Sequence, residues 1–282
     1  MNWIVFVFLV FLGFIALSAL AGAVGYSNFR AQMKKEVAIF FHNKNEAKTG
    51  AIKEEDLEEL PDPVKRYLKF TQIVGNERIQ SVRLKMKGQF RLKPDQRWFP
   101  LMAEEYYSTD PPSLVWFGRI VPFPMFSVTA RDRYFSGKGR MRIKLMSLFS
   151  VADAKGKDMN QAALVRYLNE MMWFPSAYLG ENIRWEAIDN SSARIIISDK
   201  GLAASAVCFF NEKGEMVDFV ADRLNFESGK NEEWHTPIYE YGEFNGIKVP
   251  VKGEALYRRS SGDFSYIRLE ITDIEYNVNS TY

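Results

Sequence analysis

The densest group of chemically capable side chains runs Arg131-Asp-Arg-Tyr-Phe-Ser-Gly-Lys-Gly-Arg-Met-Arg142. In an extended strand successive side chains alternate, so Arg131 and Arg133 share one face while Asp132 and Tyr134 share the other. Beyond the Gly137-Lys-Gly139 turn, Arg140, Arg142 and Lys144 also fall on a common face. Guanidinium groups bind phosphate and carboxylate through paired N–H donors. Two such rows on one side of a sheet could receive an anionic head group. The plainer expectation is a solvated outer face balanced by acidic neighbours such as Glu104 and Glu105. Gly137-Lys-Gly139 looks like a fragment of a phosphate loop, but it joins two strands and lacks the helix and the Ser/Thr that such a loop needs.

A second group is apolar. Tyr167, Leu168, Met171, Met172, Trp173 and Phe174 lie within one helical pattern and its exit. Methionine is unbranched and adaptable, which suits a surface that grips varied apolar ligands. Core filling explains each of these positions equally well taken singly. Together with Arg131 and Arg133 they form the candidate ligand-binding set.

No catalytic residue stands out. Ser176 lacks a Gly-x-Ser-x-Gly surround. Adjacent Glu104 and Glu105 point to opposite faces of a strand, and Asp222 and Glu227 make no better pair. Asp153 reads as a turn residue. His235 has no identifiable partner, and His42 lies in the N-terminal region. Cys208, the only cysteine, sits in the apolar run Ala206–Phe210 and reads as a buried small hydrophobe. With no His/Cys/carboxylate cluster, neither a metal nor a cofactor is expected. Thirty-seven basic against 35 acidic residues leave a net charge of +2, too balanced for nucleic-acid binding through bulk charge.

The elements that must position these groups begin with an apolar run. No charge occurs from Trp3 to Val24, and the first basic residue is Arg30. Twenty-two helical residues span about 33 Å, enough for a hydrocarbon core of about 30 Å. The run exceeds the length of a signal-peptide core and has no basic segment before it, although Ala19-Leu-Ala21 and Ala21-Gly-Ala23 resemble cleavage sites. Arg30, Lys34 and Lys35, with Lys44, Lys48 and Lys53 beyond, place the following domain in the cytoplasm by the positive-inside rule. The expected division is an anchor at 1–26, a charged helical connector at 27–60 and one β-rich domain at 61–282. Within the connector, Lys34–Phe41 could continue the membrane helix.

From Ile79 the apolar period changes to two. Val82, Leu84, Met86, Gly88, Phe90 and Leu92 alternate with Arg83, Lys85, Lys87, Gln89, Arg91 and Lys93. Further strands are expected at 98–109, 114–121, 126–135 and 140–148. After a helix at 160–174 come 183–188, 193–198, 202–210, 216–226, 234–244, 247–258 and 264–276. Turn residues between them (Pro122–Pro124 among them) argue for antiparallel pairing. So much sheet does not stay flat. The expected fold is α+β, mainly antiparallel β: an N-terminal transmembrane helix, then a strongly curved half-barrel of 11–12 strands around a central helix.

Several segments resemble a bacterial domain family of unknown function. They are Leu60-Pro-Asp-Pro-Val-Lys-Arg-Tyr-Leu68, Arg131–Tyr134 with Gly137–Arg142, Val151–Gly156, Leu164–Leu168 with Trp173-Phe-Pro175, Ser192-Ala-Arg194, Gly253-Glu254, Asp263–Tyr266 and Ile271–Ile274. The likeness spans about 60–277 and implies no activity. In outline the strand–helix–strand order is similar to the lipoprotein-carrier half-barrels of the bacterial envelope, which work outside the cytoplasm. The functional expectation is a non-enzymatic protein that binds a lipid or other apolar ligand, with the bilayer as its partner. The alternatives are an enzyme acting on a membrane-derived substrate through Arg131, Arg133, Asp132 or Glu104, and a protein-interaction module using the curved sheet.

Overall fold

The computed structural model describes residues 2–42, 50–123, 126–225 and 227–282. Lys44, Lys48 and Pro124, named above, and the last residue of the strand expected at 216–226 lie outside them. Helix α1 (Trp3–His42) runs unbroken through residue 26 and changes character along its length. Its first part is apolar on all sides and exposed, and it is the one described helix long and apolar enough to cross a membrane. From Gly25 onward a stripe is buried: Gly25, Phe29, Met33, Val37, Phe40 and Phe41. Steps of three or four residues put that stripe on one helical face. It packs with Tyr106, Val115 and Phe117 on the outside of the sheet.

The strands are β1 (Ser81–Phe90), β2 (Phe99–Ser108), β3 (Ser113–Phe123), β4 (Phe126–Phe135), β5 (Lys138–Leu145) and β6 (Phe149–Lys155), then β7 (Ile183–Ala187), β8 (Ser192–Asp199), β9 (Leu202–Phe210) and β10 (Met216–Asn225). β11 (Lys230–His235), β12 (Ile238–Phe244), β13 (Ile247–Tyr257) and β14 (Phe264–Tyr276) complete the sheet. Its order is β6-β5-β4-β3-β2-β1-β14-β13-β11-β10-β9-β8-β7, with β12 paired to β13 off that path. Every pairing is antiparallel. The fold is therefore the curled, mainly antiparallel half-barrel expected, with 14 strands among the described residues rather than 11–12.

The extra strands have physical causes. β6 contains Asp153, a poor strand former that the sequence places in a turn. Across the pair, however, Arg140 Nε and Nη2 donate to its carboxylate at 2.7 and 2.6 Å, and such cross-strand charge pairs favour the strand. The stretch expected as one strand at 234–244 is two, because Pro237 has no N–H to give to a ladder. β11 stops at His235 and β12 restarts at Ile238.

Helix α3 (Lys157–Glu170) lies inside the curve and is buried on nearly every side. It reaches the sheet so closely that a Cβ on Gly139 would lie 2.3 Å from the Met159 carbonyl oxygen. That approach, not phosphate binding, accounts for the glycine in the Gly-Lys-Gly turn. The sheet curls until strands near its opposite ends meet: the Tyr134 hydroxyl on β4 donates to Asp199 Oδ2 on β8 at 2.6 Å. At another edge of the core, α2 (Asp62–Phe70) contributes Val64, Tyr67 and Leu68.

Candidate functional site

The curve is not filled. Between α3 and the concave face lies a cavity of about 690 Å³. Its walls come from alternate positions on neighbouring strands: Ile120 on β3, Val128 on β4 and Ile143 on β5, then Ala255 on β13 and Ile267 on β14. Ile120 stands opposite Val128, and Leu101 opposite Ile120, so the pleat delivers one apolar row to one side. The mouth is bounded by Leu92, Phe123 and Val151, which are 62%, 55% and 59% exposed.

The inner wall is polar. Arg166 of α3 donates to Glu105 Oε1 at 3.0 Å, Asp132 Oδ2 at 2.6 Å and Glu170 Oε1 at 2.7 Å. The i,i+4 spacing of Arg166 and Glu170 thus forms the pair that the sequence suggests. Glu105 is fully buried, and burial first, then the neighbouring Glu170, pushes its carboxyl well above the usual range. Arg166 thus holds three carboxyl groups at once. Arg223 lies on the same wall, 7% exposed, over the Trp234 ring at 4.7 Å. Its guanidinium donates weakly to the Tyr257 hydroxyl and the Ala162 carbonyl, at 3.3 and 3.4 Å. It adds a second cation to this wall, within electrostatic reach of Asp132. Such a wall can orient a polar end group.

The candidate residues divide between three places. Met172 and Trp173 line the cavity, and Trp173 Nε1 is anchored on the Pro250 carbonyl at 3.1 Å. Tyr167, Leu168, Met171 and Phe174 are core, at most 1% exposed. Phe174 packs against Tyr107 and Tyr167, with ring centroids at 4.8 and 5.8 Å. Arg131 and Arg133 are on the convex face, where both bond Glu36 of α1. Glu104 is outside as well, accepting from Arg30 Nε and Nη2 at 2.9 Å. Strand alternation explains the split: Asp132, between the two arginines, is the member of that run that faces the cavity.

Other candidates have structural partners. His235 lies between Asp218 Oδ2 and Glu233 Oε1, at 2.7 and 2.8 Å. The Ser176 hydroxyl accepts from the Ile79 N–H at 2.9 Å. Cys208 is fully buried, which raises its thiol pKa. Among the described residues no group of three or more His, Cys, Asp and Glu could hold a metal ion. The sequence reading missed Arg223, Trp234, Tyr257 and Ile267. The signal for them was the period-two alternation of β10, β11, β13 and β14, which marks an inward face but not whether that face meets core or void.

The family described as "Family of unknown function (DUF6544)" matches residues 50–269. No curated protein matches the chain. Solved structures resemble it in outline. A LolA superfamily protein from Nitrosomonas europaea has 10% identity and a TM-score of 0.37, covering 77% of this chain and 92% of that one. A putative outer membrane lipoprotein-sorting protein domain from Vibrio parahaemolyticus has 9% identity and a TM-score of 0.35, covering 71% and 86%. A DUF1329 family protein from Desulfovibrio piger has 9% identity and a TM-score of 0.38, covering 79% and 95%. At such identities no ligand transfers from these proteins to this chain.

Proposed function

We propose that this chain, which belongs to the family of unknown function DUF6544, is a membrane-anchored, non-enzymatic protein whose curled sheet binds a lipid or other apolar ligand. The observation that carries the reading is the cavity of about 690 Å³. That volume lies within the roughly 300–1,000 Å³ of small-molecule sites. Protein interiors are otherwise close-packed, and water gains little from apolar walls such as Ile120, Val128, Ile143 and Ala255. An apolar ligand would cover them and place its polar end against Arg223 and the Asp132–Arg166 wall. The anchor is the apolar part of α1, none of whose most apolar window is buried by the rest of the protein. Its basic flank, Arg30, Lys34 and Lys35, supports a cytoplasmic domain. The enzyme alternative fares worse, because Glu104, Arg131 and Arg133 face away from the cavity and Asp132 is held by Arg166.

Uptake of a fluorescent polyene fatty acid by the full chain in detergent tests this reading. Val128→Trp or Ala255→Phe, each filling the cavity, should weaken uptake at least about tenfold, or ~1.4 kcal/mol. Arg184→Gln, on an exposed strand position, should leave it unchanged. Equal uptake by all four proteins would place the probe elsewhere and defeat the proposal.

A further inference from the structure

The cavity mouth and the point where α1 leaves the domain lie at the same end of the sheet. The turn between β5 and β6 touches α1 there. A Cβ on Gly25 would meet Leu148 Cδ2 at 2.7 Å and the Ser147 carbonyl oxygen at 3.0 Å, and one on Gly22 would meet the Met146 carbonyl oxygen at 3.7 Å. The apolar segment before Gly25 therefore projects from the level of this turn. Around it the strand ends expose large apolar side chains: Phe123 55%, Phe126 53%, Leu145 36%, Leu148 37% and Phe149 64%. Register joins them into one rim, since Phe123 faces Phe126, Val128 faces Leu145, and Leu145 faces Phe149. The rim is continuous with the cavity wall through Phe123, Val128 and Ile143.

A cationic belt lies behind the rim on the convex face. Arg119 sits over the Tyr26 ring at 5.8 Å, while Arg142 and Lys144 sit over Phe29 at 5.4 and 4.8 Å. Arg131 stands opposite Arg142, and Arg133 opposite Arg140. Arg140 is matched by Asp153, whereas Glu36 serves both Arg131 and Arg133. Among the described residues, Nε of Arg131, Arg133 and Arg142 and Nη2 of Arg131 meet no acceptor. The order along α1 is thus an exposed apolar helix, then an apolar rim, then an excess of cations. A bilayer presents the matching order of acyl chains followed by phosphate groups.

We infer that the half-barrel docks mouth-down on the bilayer: the β3, β4 and β5–β6 strand ends enter the acyl boundary, and Arg119, Arg142 and Lys144 meet anionic head groups. The cavity then opens into the leaflet, so a lipid enters without crossing water. The inference deepens the proposed function and rests on its reading of α1 as an anchor, but not on what the cavity holds. A helix acting only as a flexible tether would leave the rim in solvent. The packing of residues 25–41 on the sheet argues against that, because it fixes the angle between helix and mouth.

The test reconstitutes the full chain in vesicles of phosphatidylcholine with or without phosphatidylglycerol, the acyl chains brominated. An environment-sensitive fluorophore is attached to Leu9→Cys, Phe126→Cys, Phe149→Cys or Ser136→Cys, the last on the turn at the far end of β4; buried Cys208 does not label. The expected result is quenching at 9, 126 and 149 but not at 136. Quenching at 149 should be stronger with phosphatidylglycerol, and Arg119→Gln with Lys144→Gln should abolish that difference. Quenching at 9 with none at 126 or 149 overturns the docking while sparing the anchor. No quenching at 9 overturns both. Since the readout ignores cavity contents, failure of fatty-acid uptake in the same protein would count against the lipid-binding reading alone.

Discussion

The two faces of the sheet are built from alternate residues of the same strands, yet they treat charge differently. On the concave face Arg166 is surrounded by Glu105, Asp132 and Glu170 within hydrogen-bonding distance. There charge is compact and internally paired beside an apolar void. On the convex face Arg131 and Arg133 share the one carboxylate of Glu36 on the helix that packs over them. Burial pulls Arg131 below the usual guanidinium range, with Glu36 opposing the effect. Charge content alone did not identify the cavity face. The conspicuous arginines belong to the outside, and the quieter residues between them face the cavity.

The largest expected effect comes from unbalancing the inner wall. Arg166→Met leaves Asp132 and Glu170 buried without their cation, and breaking such a pair costs about 3–5 kcal/mol. Chemical denaturation should show that loss. A change below about 1 kcal/mol would mean that the wall is more hydrated than its burial implies.

A smaller change of opposite sign is expected at Glu105. Its folded-state pKa is raised by burial, so the unfolded chain loses this proton first as pH rises. The stability it contributes is complete below the ordinary carboxylate range and declines as pH rises through the folded value. Glu105→Gln should remove that decline, by up to about 1.4 kcal/mol per pH unit, and should be more stable than wild type at neutral pH. A stability profile as steep as wild type between pH 5 and 8 would show, on the linkage argument, that Glu105 is ionised in the fold.

The smallest effect belongs to the outer edge. Arg140 holds the exposed Asp153 carboxyl at about 2, below its usual value. Any stability from that pair is present above the ordinary carboxylate range and is lost as pH falls toward the folded value. Asp153→Asn should nonetheless leave the melting temperature unchanged at neutral pH, since solvent screens exposed pairs. A clear destabilisation would show that β6 depends on this bridge.

Much of the architecture was legible because it follows from period and punctuation. The alternation in β1 and the all-apolar start of α1 each admit few structures. Pro237 and Asp153 misled the strand count because a missing donor and a cross-strand partner become visible only once the ladder is drawn. The cavity was less legible. Whether Met172 lines a void while Met171 fills the core depends on how far the sheet curls, which no local pattern encodes. Arg131 and Arg133 were easy to notice, and alternation gave them a common face, but that this face is the one under α1 showed only in the packing of the helix half that begins at Gly25.

The proposed lipid site is the void beneath the sheet. Native mass spectrometry of the full chain, extracted from its host membrane and released from a mild detergent, tests it most directly. The expected result is one lipid-sized adduct per chain that survives detergent removal and is absent from Val128→Trp. A bare wild-type mass, or an adduct that persists unchanged in the cavity-filled variant, would contradict it.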